Sequence, residues 1–292
     1  MPRYLVIGGA GVIGSHLVDA LLACGHGVCV FDSLTSGRRA RLDPRAALIT
    51  ANLTDPSAMQ IAMHGASGCF QLANPSPAVF EAAIRAGTIP VVYASSAAVY
   101  GAPPAQPVAE TCAPAPRTAI GHAHLAAEHA AQAVFATHGL PSLGLRLFSV
   151  YGPRQPAGGQ AAGVVARFAD RLARGLPLKL HGDGNQTRDF LYIGDAIRML
   201  LHGMRRLHAA PQAGILNACT GRATTIRALA SQLAHITGVP PRFTPCPADP
   251  DTPRDLVGDR TLAGQALGCH ARVPLEDGLA WTYGTHPLRH AA

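Results

Sequence analysis

Charged residues, aromatic residues and long apolar runs are all scarce in this chain of 292 residues. Only 14% of the residues are charged and 5% are aromatic, whereas 48% are hydrophobic. This composition is typical of a globular protein with a large core, and it argues against disorder. No apolar stretch is long enough to span a bilayer, and the first apolar segment starts almost at Met1. We therefore expect a cytoplasmic protein without a membrane partner.

Dense clusters of positive charge and closely paired cysteines are missing as well. The formal net charge is +7, but the basic residues are scattered along the chain. We therefore expect no nucleic-acid partner and favour a small molecule that carries phosphate. The seven cysteines include no Cys-x2-Cys pair, so the sequence predicts neither a disulfide framework nor a metal site.

A glycine-rich loop is the first informative segment of the chain. Residues 8–14 read Gly-Gly-Ala-Gly-Val-Ile-Gly, directly after the apolar run 4–7 and before an apolar-periodic stretch. This order predicts a strand, a tight turn and a helix. Glycines allow a ligand to approach the backbone closely, and the free N–H groups of a helix start attract phosphate.

An acidic residue ends the second apolar run. Asp32 follows the loop by about 20 residues, where a carboxylate can bind both ribose hydroxyls of an adenosine. Because such a carboxylate would repel a 2′-phosphate, the sequence favours NAD over NADP, although Arg38 and Arg39 weaken this preference.

Strand-like and helix-like stretches alternate through the first half of the chain. Such alternation predicts an α/β fold with a Rossmann-type, doubly wound parallel sheet, whose ligands lie at the carboxyl ends of the strands. We expect this NAD-binding domain to span 1–150 and to receive about 190–217. Residues 151–189 and 218–292 then form a smaller, mixed α/β domain for the substrate.

Several longer segments resemble the extended short-chain dehydrogenase/reductase superfamily. Within it, the similarity is to the NAD-dependent nucleotide-sugar epimerases, dehydratases and decarboxylases of the UDP-glucose 4-epimerase type. The Gly-Asp-Gly…Arg-Asp-Phe segment is far more specific than the glycine loop. Besides that loop, the segments that carry the resemblance are 32–39, 93–101, 145–154, 181–190 and 275–279.

The resemblance implies two sets of ligand-binding residues. Those expected to bind NAD are Gly8, Gly11, Val12, Ile13, Gly14, Asp32, Ser33, Asn52, Leu53, Leu72, Ala73 and His124. Those expected to bind the nucleotide sugar are Ser149, Lys179, His181, Arg188 and Arg254. In the second set, Lys179 and His181 lie along the nucleotide base, and Ser149 replaces an Asn that commonly contacts the phosphates.

Arg188 and Arg254 are expected to hold the substrate diphosphate. A guanidinium presents a planar fork of donors that suits phosphate oxygens. The alternative for each arginine is a surface ion pair with a neighbour such as Asp189 or Asp255.

The segment 119–128 departs from the family pattern. The hydride chemistry of the family uses a Ser/Thr, which Ser96 matches, and a Tyr-x3-Lys pair on the following helix. The trailing Leu-Ala-Ala-Glu sets the register and places Ile120 at the Tyr position and His124 at the Lys position. Isoleucine has no ionisable proton, and loss of a general acid/base costs about 10²–10⁴-fold in rate.

Three hypotheses for function remain open from the sequence. The first is an atypical NAD-dependent epimerase/dehydratase for a nucleotide sugar, most simply a UDP-sugar, in which His124 and Ser96 transfer the proton. The second is a catalytically impaired homologue that binds NAD or a nucleotide sugar, with His124 merely filling the place of the lysine. The third is a non-redox enzyme of a specialised biosynthetic pathway that uses the same pocket.

The connection after the fourth predicted strand is short. Only residues 74–80 precede the next helical stretch, where the family has a longer segment. By resemblance, the missing part lines the cofactor pocket and lengthens a helix of the usual dimer interface. We therefore expect a wider pocket, and a homodimer, if it forms, with a non-standard interface.

Overall fold

Short and mostly apolar segments form the strands of the computed structural model, which describes residues 1–159 and 162–284. Numbered along the chain, the strands are β1 (Arg3–Ile7), β2 (Gly27–Asp32), β3 (Ala47–Thr50), β4 (Gly68–Gln71), β5 (Val91–Ser96), β6 (Ser142–Leu147), β7 (Ser149–Tyr151), β8 (Leu178–His181), β9 (Thr187–Arg188), β10 (Phe190–Tyr192), β11 (Ala213–Ala218), β12 (Thr224–Thr225), β13 (Phe243–Cys246) and β14 (Asp255–Leu256).

Helices separate most of these strands. They are α1 (Val12–Ala23), α2 (Pro56–Met63), α3 (Ala78–Arg85), α4 (Ala119–His138), α5 (Val164–Ala173), α6 (Ile193–Ala209), α7 (Ile226–Thr237), α8 (Thr261–Leu267) and α9 (Leu275–Tyr283). Two short 3₁₀ turns, Arg39–Arg41 and Ala97–Tyr100, complete the described elements. Across the described ranges, no helix combines the length and the hydropathy that crossing a bilayer requires.

Seven strands form one sheet in the order β11-β6-β5-β4-β1-β2-β3. All neighbouring strands in it are parallel, because each connection crosses over one face of the sheet and returns to the same edge. The strand order reverses direction between β1 and β4, which opens a crevice at the carboxyl edge. The predicted Rossmann-type α/β fold is therefore confirmed.

Alternating side chains of the strands supply two separate cores. Tyr4 and Val6 of β1 point to a core that includes α1 and α6. Leu5 and Ile7 point to the opposite core, which includes α2, α3 and one side of α4. Because both faces of the sheet are covered, its strands are mostly apolar, and the polar Arg146 of β6 and Asn217 of β11 are buried.

The remaining strands form small sheets next to the carboxyl edge. β8 pairs with β13, β9 lies between β12 and β14, and β7 pairs with β10. Helices α5, α7 and α9 pack against β8 and β10 around a third core. The division into two domains at the predicted boundaries stays a prediction, although β11 joins the main sheet as expected for the returning segment.

Candidate active site

The glycine loop connects β1 to α1 and leaves no space for extra side-chain atoms. Gly8 has a φ of +77°, and a Cβ there would lie 2.7 Å from the backbone nitrogen of Ala73. A Cβ on Gly14 would overlap the carbonyl oxygen of Gly8. Packing therefore requires glycine at both positions, and the loop lies directly against the end of β4.

Helix α1 begins without any group that would occupy its N–H donors. Within the described residues, no side chain caps Gly11, and the first turn contains no acidic residue. The backbone N–H groups near Val12 and Ile13 are therefore available, and a helix N-terminus with free donors is a binding site for phosphate.

Asp32 is fixed beside this loop. Its Oδ2 accepts a hydrogen bond from the Ala10 backbone N–H at 2.9 Å, and its Oδ1 accepts one from the Leu34 N–H at 2.8 Å. The residue is 8% exposed. Each carboxylate oxygen has a further lone pair, so Asp32 can still accept hydrogen bonds from two vicinal hydroxyls.

The other residues expected at the cofactor lie at the ends of neighbouring strands. Asp32 is level with Thr50 in the β2–β3 pair, so the exposed Asn52 and half-buried Leu53 follow at the same edge. Leu72 and Ala73 follow β4, where Ala73 contacts Gly8. The structure thus places the predicted cofactor residues of the first four strands along one edge.

Ser96 and Ile120 line one small cavity of about 320 Å³. Ser96 ends β5, and its Oγ accepts a hydrogen bond from the Ala98 N–H at 3.1 Å. A Cβ on Gly121 would lie 2.7 Å from the Ala98 carbonyl oxygen, so the first turn of α4 packs tightly on the turn after β5. This contact brings Ile120, which is 48% exposed, next to Ser96.

His124 lies one helical turn beyond Ile120 and is half-buried. Burial lowers the pKa of His124, and the Glu128 carboxylate and the Ala94 carbonyl offset part of that effect. Its buried Nδ1 has no hydrogen-bond partner in the part of the chain that the structure describes. The imidazole is therefore neutral near pH 7 and can accept a proton, whereas a lysine would be charged there.

Ser96 and His124 do not form a direct pair. Their side chains share no hydrogen bond among residues 1–159 and 162–284, and the residues around the small cavity include Ser96 but not His124. Joint proton transfer by these two residues therefore needs a bound molecule or water between them.

A buried ionic network lies one turn further along α4, and its residues were not among the predicted site residues. Glu128 accepts two hydrogen bonds from Arg146, at 2.9 and 2.7 Å, and one from the Ser95 hydroxyl at 2.5 Å. The Arg146 and Glu128 side chains are only 5% and 2% exposed. This pair anchors α4 to β5 and β6, and thereby fixes the position of His124.

Tyr100 completes the network. The Arg146 guanidinium lies 4.7 Å from the centre of the Tyr100 ring, and the Tyr100 hydroxyl donates to Asn217 at 2.7 Å. Burial raises the pKa of Tyr100 to about 12. Tyr100 therefore stays protonated and acts as a hydrogen-bond donor within the core.

The five residues expected to bind the substrate line a larger cavity of about 840 Å³. They are Ser149, Lys179, His181, Arg188 and Arg254. Four residues belong to the walls of both cavities, namely Ser149, Arg188, Thr252 and Pro253. The two cavities are therefore neighbours on either side of these four residues, and together they offer room of the size that a small-molecule ligand needs.

Arg188 is held at this shared wall by backbone carbonyls. It donates to the carbonyl oxygens of Thr187, Arg254 and Pro253 at 2.5, 2.9 and 2.8 Å. Burial lowers its pKa, and Asp255 offsets part of that effect. Within the described residues no carboxylate forms an ion pair with it, so the ion-pair alternative is not observed for Arg188.

The neighbouring acidic residues have other partners. Arg254 forms an exposed ion pair with Asp183 at 3.1 Å rather than with Asp189 or Asp255. Asp189 is fully buried and accepts hydrogen bonds from Thr220 and Gly221. Exposed ion pairs are weak, so Arg254 can exchange this partner for a ligand.

Loop residues without a motif also line the cavities. The smaller cavity is also lined by Arg117, Thr118 and Thr252. These three were not among the predicted site residues. No periodic pattern marks such positions, because the fold brings their loops together from distant parts of the chain.

Comparison with known proteins relates this site to one family. Residues 4–79 and 73–219 match the family described as "NAD dependent epimerase/dehydratase family". The chain is 33% identical over 311 residues to UDP-glucose 4-epimerase of Mycolicibacterium smegmatis, an alignment that covers 96% of this chain and 97% of that protein.

Solved structures give the same result. The UDP-glucose 4-epimerase of Thermotoga maritima, determined with UDP-glucose, superposes with a TM-score of 0.87 at 32% identity and covers 96% of this chain and 97% of that one. The Thermus thermophilus UDP-glucose 4-epimerase complex with NAD superposes with a TM-score of 0.86 at 30% identity and covers 99% and 100%.

Proposed function

Because the chain belongs to the NAD dependent epimerase/dehydratase family, we propose that it binds NAD along the glycine loop and a UDP-sugar across the two neighbouring cavities. It acts on the sugar as an isomerase or a lyase. One observation carries the proposal: the larger cavity, lined by all five expected substrate residues, shares a wall with the cavity of Ser96 and Ile120.

The shape of this space gives the ligand a direction. Lys179 and His181 line only the larger cavity, so the uracil and its ribose lie there. Arg188 at the shared wall supplies positive charge for the diphosphate. The sugar then extends into the smaller cavity beside Ser96.

The residues present fit NAD. The glycine cradle and the uncapped start of α1 suit a diphosphate, and Asp32 retains acceptors for the adenosine ribose hydroxyls. The buried Nδ1 of His124 has no partner among the described residues, as expected if a bound group completes its hydrogen bonding. When bound, NAD supplies a hydride acceptor for the sugar ring.

In the proposed enzyme, Ser96 and His124 carry out the proton transfer. Ser96 orients a sugar hydroxyl, and His124, neutral near pH 7, takes up the proton. Ile120 contributes an apolar wall where the family has a phenol. This assignment separates the enzyme from a catalytically impaired homologue that binds the same ligands without turning them over.

Mass spectrometry of small molecules released from the purified protein tests the binding part. We expect NAD and a UDP-sugar. Recovery of neither, together with no binding of added NAD or UDP-sugar in calorimetry, would contradict the proposal.

Turnover of added UDP-sugars, followed by NMR, tests the chemistry. We expect His124→Ala to lower turnover by about 10²–10⁴-fold and Ser96→Ala to lower it as well. His122→Ala is the matched control, because His122 is exposed on another face of α4 and its loss leaves turnover unchanged. Bound NAD and UDP-sugar without turnover would identify the impaired homologue, and turnover that survives both site variants would refute the site.

The proposed enzyme forms a homodimer with a non-standard interface. Helix α3 has only 8 residues, whereas α4 has 20 and is exposed along much of its length. An interface that uses α4 therefore receives little area from α3. Light scattering coupled to size-exclusion chromatography tests this, and a monomer at all concentrations would refute it.

A further inference from the structure

We propose that the smaller cavity selects an acidic sugar, a uronic acid, and that Arg117 binds its carboxylate. The inference rests on the proposed function, because it names the sugar class of the same UDP-sugar site. It starts from Arg117, a positively charged residue in the cavity wall that has no role in binding the cofactor or the diphosphate.

Arg117 lies directly before α4 and lines the smaller cavity with Ser96, Thr118 and Ile120. Its stem runs beside Gly101, where its Cγ would lie 3.5 Å from an added Cβ. Gly101 has a φ of +59°, and a Cβ there would also overlap the Ala115 carbonyl. The turn at Gly101 thus sets where the arginine stem enters the cavity wall.

The guanidinium of Arg117 is free to bind a ligand. Within the described ranges it forms no ion pair, and no hydrogen bond joins it to another residue. Asp251 lines the same cavity but is not one of its ion-pair partners. The second arginine of the cavity, Arg188, already donates to three carbonyl oxygens.

The start of α4 adds positive potential to the same wall. Thr118 caps the helix by accepting a hydrogen bond from the Gly121 N–H at 3.2 Å, and the first turn contains no acidic residue. The N–H groups of Ala119 and Ile120 therefore remain without a capping acceptor in the described part of the chain. A helix N-terminus favours an anion.

Geometry favours a carboxylate on the sugar over a second phosphate. The diphosphate belongs at Arg188, in the wall that both cavities share, and the remaining space of about 320 Å³ suits one sugar ring. A carboxylate on that ring can accept two parallel hydrogen bonds from a guanidinium. A neutral hydroxymethyl group in its place would leave the charge of Arg117 uncompensated beside the bound sugar.

Calorimetry with UDP, UDP-glucose, UDP-galactose, UDP-glucuronic acid and UDP-galacturonic acid tests the proposal on the protein as purified. We expect at least one uronic acid derivative to bind about tenfold more tightly than its neutral counterpart, as is typical of a charge-assisted pair. Arg117→Gln removes this preference and leaves the affinity for UDP unchanged. Arg117→Lys retains part of it, because the charge remains but the planar fork is lost.

Arg205→Gln is the matched control, because Arg205 is exposed on α6 and lines neither cavity. It leaves all five affinities unchanged. Equal affinity for acidic and neutral sugars, or a preference that survives Arg117→Gln, would refute the role of Arg117. In either case intact UDP binding still supports the proposed function. Failure of UDP and of every UDP-sugar to bind would refute the proposed function itself.

Discussion

The glycine loop and the first two turns of α4 lie at the same sheet edge, but they tolerate change to very different degrees. In the loop, a single added carbon at Gly8 or Gly14 would meet backbone atoms. On α4, the side chain of Ile120 is 48% exposed and faces a cavity. A change in the loop must disturb the fold, whereas a change at Ile120 alters only what the cavity contains.

This difference separates the two parts of the predicted site. Diphosphate binding by a loop depends on backbone N–H groups, which every sequence that folds this way retains. Proton transfer depends on the identity of side chains, and α4 is a complete helix with Ile120 and His124 at the positions predicted for the Tyr-x3-Lys pair. At this sheet edge, the predicted cofactor site therefore depends on the backbone, whereas the proposed reaction depends on side chains.

Placing the expected Tyr-x3-Lys pair on α4 is the most direct way to sharpen the comparison. We expect Ile120→Tyr with His124→Lys to turn over UDP-sugars about 10²–10⁴-fold faster than His124→Lys alone, the usual contribution of a positioned general acid/base. Turnover is measured by NMR. The control is Ile120→Phe with His124→Lys, which adds the ring without the phenol and gives no comparable gain. A rate that stays at the level of His124→Lys would show that side-chain identity on α4 is not what limits the reaction.

Breaking the ionic pair beneath α4 tests whether the helix is anchored where we describe it. Glu128→Gln leaves the buried Arg146 without a counter-charge, and we expect a loss of about 3–5 kcal/mol in the free energy of unfolding. Urea denaturation monitored by circular dichroism measures it. Glu81→Gln is the control, because its ion pair with Arg85 is exposed on both sides, and the expected change is within about 0.5 kcal/mol. Similar effects of the two substitutions would contradict the anchoring role.

A methyl group in the glycine loop tests the other side of the comparison. Because a Cβ on Gly14 would overlap the Gly8 carbonyl, we expect Gly14→Ala to displace the loop and to weaken NAD binding by about tenfold, the cost of one hydrogen bond to a charged group. Calorimetric titration with NAD measures this. Gly264→Ala is the control, since nothing lies within 4 Å of a Cβ there. Unchanged NAD affinity in Gly14→Ala would mean that the loop is not the cofactor site.

The pH dependence of turnover gives the smallest expected effect. Burial lowers the pKa of His124, so the folded protein loses that proton at a lower pH than a free imidazole. If His124 is the base, kcat/KM falls on the acid side with a midpoint below about 6.5, the usual value for histidine. The remaining activity of His124→Gln lacks this acid limb. A midpoint above 6.5 would assign the limb to another group.

The main elements of the fold and the family could be predicted because local pattern determines them. The apolar strands around the glycine loop, the helices that follow them and the acidic end of β2 all carry their signals in short windows. The predicted family, fold class and NAD dependence are confirmed. The strand, turn and helix predicted around the glycine loop are β1, the loop and α1 of the structure.

Elements that depend on long-range packing could not be predicted from the sequence. β11 contains Gly214 and a polar Asn217, and only its pairing with β6 makes it a strand. Helix α6 continues to Ala209 because Met204 and Leu207 extend its buried face. Arg117 could not be predicted for the same reason, because its place in the cavity depends on the fold of the proline-rich loop 101–116. The roles of the individual site residues stay predictions.

The wall shared by the two cavities has a consequence for redesign of the protein. Arg117 and Ile120 line the smaller cavity alone, and Lys179 and His181 line the larger cavity alone. Under the proposed function, substitutions in either pair alter recognition of one half of the ligand and leave the other half as it was. Arg188 is different, because it lines both cavities and donates hydrogen bonds to three carbonyl oxygens. A set of variants designed to change the preferred sugar without changing nucleotide binding should therefore leave Arg188 unchanged.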